Sequence, residues 1–119
     1  MASETASELA SVADWNAARE ASFERPVLVY KHSATCPTSA WAQRNIDTWS
    51  DDHADWPVYR VTVQSARPVS NQIADDLSLR HETPQAIIVH KGEVIEHLNH
   101  NHVTPDRLTE ALRKLDLPV

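Results

Sequence analysis

One stretch constrains the fold more than any other, because an apolar run, a polar turn, a cysteine and a proline follow one another within residues 27–39. Residues 27–30 carry branched and aromatic side chains without glycine or proline, which is typical of a buried strand. Pro37 lacks an N–H and therefore suits the first turn of a helix. The sequence thus predicts a strand–turn–helix unit in which Cys36 lies at the N-terminus of the helix.

Cys36 is the only cysteine among the 119 residues. The free N–H groups and the dipole of a helix N-terminus favour negative charge, so a thiol there ionises more readily and its thiolate is the reactive form. A lone cysteine can equally be an inert buried residue, but the surrounding order of elements favours the redox interpretation. Because one cysteine cannot form an internal disulfide, we expect a reducing, cytoplasmic location.

The net charge and the amino-acid composition exclude several functional classes. The net charge of −6 argues against nucleic acid or an anionic membrane surface as a partner. No apolar run approaches the roughly 20 residues that span a bilayer, and the single glycine excludes glycine-rich phosphate loops. We expect one domain over residues 1–119, with residues 1–8 flexible and without the basic region of a secretory signal.

Hydrophobic spacing and capping signals predict an α/β chain. Ser11 with Asp14 indicates a capping box at the start of the first helix, Ser70 is the expected N-cap of the third, and Thr104 that of the last. Lys91-Gly92 predicts a tight turn between two antiparallel strands. The expected helices cover about residues 12–23, 37–50, 70–77 and 104–115, and the expected strands 27–30, 57–63, 84–90 and 93–98. The sheet is therefore predicted to be four-stranded and mixed, with flanking helices.

Histidines open a metal-binding alternative. His97, His100 and His102 cluster within residues 96–102, and His81, His90 and Cys36 add further candidates. Their spacing matches no zinc motif, and a polar loop over residues 99–103 explains the cluster better, so no metal is expected. The acidic segment 51–55 is interpreted in the same way, as a solvated connection.

Three colinear segments resemble the YtxJ-like monothiol bacilliredoxins of the thioredoxin-like superfamily. They are KHSATCPTS at residues 31–39, RPVSN at 67–71 and RHETPQ at 80–85, and the likeness extends over about residues 12–115. The resemblance implies a thioredoxin-like fold and a small cytoplasmic protein that accepts or removes bacillithiol and similar adducts on protein cysteines. Thr83 stands where relatives often carry serine, a change that leaves the implied role intact.

The resemblance also implies a site. Cys36 would be the nucleophile, and the substrate would be bound by Pro37, Thr38, Ser39, Thr83 and Pro84. A cis peptide before Pro84 would form the opposite wall, where the backbone of Thr83 pairs with an extended substrate.

Ser39 occupies the position of the second cysteine in a Cys-x-x-Cys motif. Because a hydroxyl cannot resolve a mixed disulfide, the sequence predicts a monothiol route with no bound cofactor. A small thiol such as bacillithiol would then be the co-substrate, and S-thiolated proteins and a disulfide reductase would be the partners. Ser39 itself either donates a hydrogen bond to the sulfur or is an ordinary serine on the helix surface.

Neighbouring side chains leave further alternatives. Lys31 and His32 could add positive potential at the site, but solvated or packed roles are favoured for both. Trp41 lines the site or, slightly favoured, packs against the first helix.

Two other functions remain open at this stage. One is iron–sulfur transfer as in monothiol glutaredoxins, although their Cys-Gly-Phe-Ser differs from Cys-Pro-Thr-Ser here. The other is a redox-silent binding module in which Cys36 is inert.

Overall fold

The computed structural model describes residues 6–114, in which a five-stranded mixed sheet is flanked by helices on both faces. The strands are β1 (Ser7–Glu8), β2 (Val27–His32), β3 (Val58–Thr62), β4 (Gln85–His90) and β5 (Glu93–Asn99). The helices are α1 (Val12–Ala21), α2 (Pro37–Asp51), α3 (Arg67–Leu77) and α4 (Pro105–Arg113), and a 3₁₀ turn (His100–His102) follows β5. None of these helices is long and apolar enough to cross a membrane.

The strands lie in the order β1-β3-β2-β4-β5, with β1, β3 and β2 parallel and the last two antiparallel to their neighbours. The four predicted strands are therefore confirmed, and β1 is an additional edge strand. Ser7 and Glu8, which were expected to be flexible, form strand β1 in the structure, while residues 1–5 lie outside the described residues. Glu8 is held because its carboxylate accepts hydrogen bonds from the side chains of Arg60 (2.8 Å) and Thr62 (2.9 Å).

Alternation along β2 divides the core between the two faces of the sheet. Val27 and Val29 pack with residues of α1 and α3, whereas Leu28 and Tyr30 pack with residues of α2 and α4. All four are fully buried, as expected for a central strand that is covered on both sides. Because β2 is buried on both faces, its position in the sheet is fixed, and so is the point at which the turn before α2 begins.

Most predicted helix starts are confirmed. Ser11 and Asp14 form the capping box of α1, and the Thr104 hydroxyl accepts from the Arg107 N–H. Cys36 is the N-cap of α2, with Pro37 in the first turn. The predicted last helix is confirmed as α4, whose buried residues are Leu108, Ala111 and Leu112, whereas position 115 lies outside the described residues.

The predicted start of α3 is wrong. Ser70 lies inside the helix, which begins at Arg67 after the N-cap residue Ala66. Proline is tolerated in the first helical turn, so Pro68 lies within α3 and does not precede it. Ser70 is buried, and its carbonyl accepts a hydrogen bond from Lys31.

The hairpin between β4 and β5 turns at Lys91 and Gly92, as predicted. Both residues have positive φ, 55° and 76°, the conformation that a tight two-residue turn requires. The N–H of Gly92 donates to the hydroxyl of Ser22, and its carbonyl accepts from Arg19. The turn is thereby attached to the end of α1.

Candidate active site

Strand register brings the two predicted parts of the site to one edge of the sheet. Lys31 near the end of β2 pairs with Gln85 at the start of β4, so the chain leaves β2 where the segment with Thr83 and Pro84 enters β4. The Thr83–Pro84 peptide bond is cis, as the resemblance implied. Cys36 follows β2 by four residues, at the head of α2.

Exposure differs among the predicted site residues. Cys36 and Thr83 are half-buried, and Pro37 and Thr38 are exposed. Ser39 and Pro84 are buried. The sulfur is therefore not enclosed in apolar packing, as an inert core cysteine would be.

The head of α2 lowers the pKa of Cys36. The backbone N–H of Ser39 contributes most, partial desolvation opposes it, and the Ser39 hydroxyl and the N–H and hydroxyl of Thr38 add to the lowering. The Cys36 side chain makes no capping hydrogen bond. Donors that lower the pKa of a thiol do so by stabilising its thiolate. This is the chemistry expected of a cysteine at a helix N-terminus.

Ser39 is fully buried, so its interpretation as an ordinary serine on the helix surface is wrong. Its hydroxyl oxygen accepts a hydrogen bond from the Ser33 N–H at 3.2 Å, and its carbonyl accepts from the Tyr30 hydroxyl at 2.7 Å. Burial raises the pKa of Tyr30, so Tyr30 keeps the proton that it donates. A hydroxyl can accept and donate at the same time, and the Ser39 hydroxyl is among the groups that lower the pKa of Cys36.

The turn that leads to Cys36 is held by a residue that the sequence did not indicate. The side-chain amide of Gln64, in the loop after β3, forms hydrogen bonds with Ser33, Ala34 and Thr35. A single glutamine in a polar loop belongs to no recognisable motif. Because it lies about thirty positions from the turn in the sequence, no local pattern indicates the contact. Only the parallel pairing of β2 with β3 brings the two loops together.

Lys31 is fully buried on the face of the sheet that α3 covers, which confirms a packed role. Its Nζ lies 3.2 Å from the Ser70 carbonyl oxygen and 3.1 Å from Nδ1 of His81. Burial lowers the pKa of Lys31 to about 8. Burial, followed by the charge of Lys31, lowers the pKa of His81, so a neutral His81 accepts the hydrogen bond from the ammonium group.

His32 and Trp41 have packing roles. His32 is half-buried, its Nδ1 lies 3.2 Å from the Tyr30 hydroxyl, and burial lowers its pKa. Trp41 packs against the cluster between the sheet and the helices α2 and α4. Its predicted packing against the first helix is wrong, because α1 lies on the other face of the sheet.

The histidines near β5 form no metal centre in the part of the chain that the structure describes. Within residues 6–114, no group of three or more His, Cys, Asp or Glu side chains could hold a metal ion. His100 instead lies 3.1 Å from the carboxylate of Glu82.

Comparisons with known proteins agree with this geometry. Residues 7–108 match the family model described as monothiol bacilliredoxin BrxC. A solved structure described provisionally as an oxidoreductase with a thioredoxin fold is 29% identical, with a TM-score of 0.84 over 93% of this chain and 96% of that one.

Thioredoxins share the fold at lower identity. The Fasciola hepatica thioredoxin is 12% identical, with a TM-score of 0.75 over 91% of this chain and 97% of that one. The Trypanosoma brucei brucei thioredoxin is 14% identical, with a TM-score of 0.76 over 93% and 90%. The fold is therefore thioredoxin-like, and the family match together with the 29% identical neighbour supports a thiol–disulfide oxidoreductase role.

Proposed function

Because this chain belongs to the monothiol bacilliredoxin family, we propose that it removes bacillithiol from modified cysteines of cytoplasmic proteins by transferring the adduct to Cys36. One observation carries the proposal: the only cysteine caps α2, and serine stands three residues later where a second cysteine would resolve the exchange. The lowered pKa of Cys36 increases the fraction of the reactive thiolate at a given pH.

The first step is a thiol–disulfide exchange. The Cys36 thiolate attacks the bacillithiol sulfur of the mixed disulfide, forming a new S–S bond to Cys36 while the old bond breaks. The electron pair of the broken bond leaves on the target cysteine, which departs as a thiolate. One disulfide is consumed and one is formed, so the step needs no external oxidant or reductant.

The second step regenerates the protein. Ser39 cannot attack the new disulfide, so a thiolate from outside must do so. A second bacillithiol thiolate attacks the bacillithiol sulfur, forms bacillithiol disulfide and releases the Cys36 thiolate. A disulfide reductase that returns bacillithiol disulfide to the thiol would complete the cycle.

Substrate would be bound between the head of α2 and the segment before β4. Pro37 and Thr38 are exposed beside the sulfur, and we assign them contacts with the modified cysteine. Across the edge of the sheet, the backbone of Thr83 would pair with an extended segment of the target protein, with Pro84 shaping the turn. Such pairing uses main-chain groups, so it does not require a particular side chain in the target protein.

Intact mass spectrometry tests the proposal. Wild-type protein is incubated with bacillithiol disulfide, and Cys36→Ser is the matched control. We expect one bacillithiol adduct on the wild type only, which is then lost on addition of free bacillithiol.

A wild type that stays unmodified would contradict the proposal. If Cys36 is also alkylated with the pH dependence of an ordinary thiol, the result would favour a redox-silent binding module. Incubation with an S-bacillithiolated target protein then tests the substrate class, since the adduct must move from the target to Cys36.

A further inference from the structure

Gln64 uses its entire side-chain amide on the three residues that precede Cys36. Its Oε1 accepts from the N–H of Ala34 at 3.0 Å. Its Nε2 donates to the hydroxyl of Ser33 at 2.7 Å and to that of Thr35 at 3.3 Å. One side chain from a different loop thus binds three consecutive residues of the turn.

The loop that carries Gln64 is itself anchored to the end of β2. The N–H of Val63 donates to the carbonyl of His32 at 2.9 Å, and the N–H of Ala66 donates to that of Thr62 at 2.9 Å. Gln64 therefore extends from a backbone that is fixed relative to the sheet. Its hydrogen bonds hold the turn in a fixed position relative to the sheet as well.

The turn leads directly to the reacting group. The N–H of Cys36 donates to the carbonyl of Ser33 at 3.4 Å, which closes the turn. The N–H of Ser33 donates to the Ser39 hydroxyl. Ser33 is therefore bonded both to the backbone of Cys36 and to the Ser39 hydroxyl, which is one of the groups that lower the pKa of Cys36.

We propose that Gln64 is a positioning residue for the exchange reaction of Cys36, acting through Ser33 and Ser39. This role presupposes that Cys36 is the reacting thiol, as in the proposed function. The hydrogen bonds of Gln64 go to Ser33, Ala34 and Thr35 and not to the Cys36 sulfur. It holds Ser33 in place, and Ser33 in turn is hydrogen-bonded to the Ser39 hydroxyl.

A purely structural role for Gln64 would predict a different result. Ala34, Thr35 and Gln64 are all exposed, so water can replace the lost hydrogen bonds and little global stability depends on them. What water cannot replace is the restraint on the geometry of the turn. Loss of Gln64 should therefore change the ionisation of Cys36 more than it changes the unfolding temperature.

The test is Gln64→Met, which keeps the length of the side chain and removes its hydrogen bonding. The rate of iodoacetamide alkylation is measured against pH and reports the pKa of Cys36. We expect that pKa to rise by about half a unit, which lowers the thiolate fraction about threefold at a pH below both values. Gln72→Met is the matched control, because the Gln72 amide binds Asp76 within α3 and not the turn.

A double-mutant cycle tests the route through Ser39. In a Ser39→Ala background, the effect of Gln64→Met on the pKa of Cys36 should fall below half of its wild-type value. The inference is overturned by an equal effect in both backgrounds, by an unchanged pKa in Gln64→Met, or by a variant that differs only in unfolding temperature. Iodoacetamide needs no disulfide substrate, so a protein that takes up no bacillithiol would refute the proposed function and still report on Gln64.

Discussion

Replacement of the buried Lys31 by methionine should change how the stability of the protein depends on pH. Burial lowers the pKa of Lys31 from its ordinary 10.5 to about 8. The folded state therefore releases this proton more readily than the unfolded state does. Below about pH 8 the folded protein must hold a buried cation, and this cost disappears as the pH rises from about 8 to 10.5.

The magnitude follows from the width of that interval. A difference of about 2.5 pKa units corresponds to roughly 3 kcal/mol when both states are fully protonated. Between about pH 7 and pH 9.5, about 2 kcal/mol of this cost should be relieved in the wild type. The methionine in Lys31→Met cannot titrate. Between these pH values the free energy of unfolding should therefore rise by about 2 kcal/mol more for the wild type than for the variant.

Urea unfolding at several pH values, followed by tryptophan fluorescence, measures both free energies. The comparison cancels groups that titrate alike in the two proteins, including Cys36. The lost contacts with Ser70 and His81 shift the variant by a nearly constant amount, because the lowered pKa of His81 lies below the range. A difference between the two proteins that stays constant from about pH 7 to 9.5 would refute the assignment of a buried, ionisable Lys31.

Three other substitutions follow from the structure. Ser39→Cys places a second thiol three residues after Cys36, so we expect an internal disulfide after mild oxidation, seen as a loss of two hydrogens in the intact mass; two thiols that stay free would contradict the geometry at the head of α2. Gly92→Ala should lower the free energy of unfolding by about 1 kcal/mol, because φ is +76° at this residue. The new Cβ would lie 3.0 Å from Phe23 Cζ, but this atom belongs to an exposed ring that can move. A loss above about 3 kcal/mol would therefore mean that the steric contact, and not the backbone conformation, dominates. Ser11→Ala removes the capping box of α1 and should cost about 1 kcal/mol in urea unfolding, whereas an unchanged midpoint would show that the box is not needed.

Local patterns in the sequence predicted most of the elements and the central part of the site. Signals within a few residues of each other, such as the strand, turn, Cys36 and Pro37, depend on backbone preferences that act over one turn of chain. The capping of α1 by Ser11 is predictable for the same reason. The start of α3 could not be predicted in this way, because Pro68 and Ser70 offer two competing local signals. The helix begins before both of them, and Ser70 is buried where its carbonyl accepts a hydrogen bond from Lys31.

The family and its fold were recognisable because three short segments occur in a fixed order along the chain. They also suggested the cis peptide before Pro84 and the lack of a resolving cysteine. The strand β1 escaped detection, since two residues are too few to show any periodicity. It is stabilised by hydrogen bonds that the Glu8 carboxylate accepts from Arg60 and Thr62, which lie on a strand more than fifty residues away.

The sequence by itself determined that one thiol would stand at the head of a helix with serine in place of its resolving partner. Only the tertiary structure decided how the turn before that thiol is held, by hydrogen bonds from Gln64 in the loop after β3, and which groups accept the hydrogen bonds of the buried Lys31. The physical reason is that helix starts and turns are specified by neighbours along the chain. Hydrogen bonds between loops depend on strand pairing, which sets distant residues side by side.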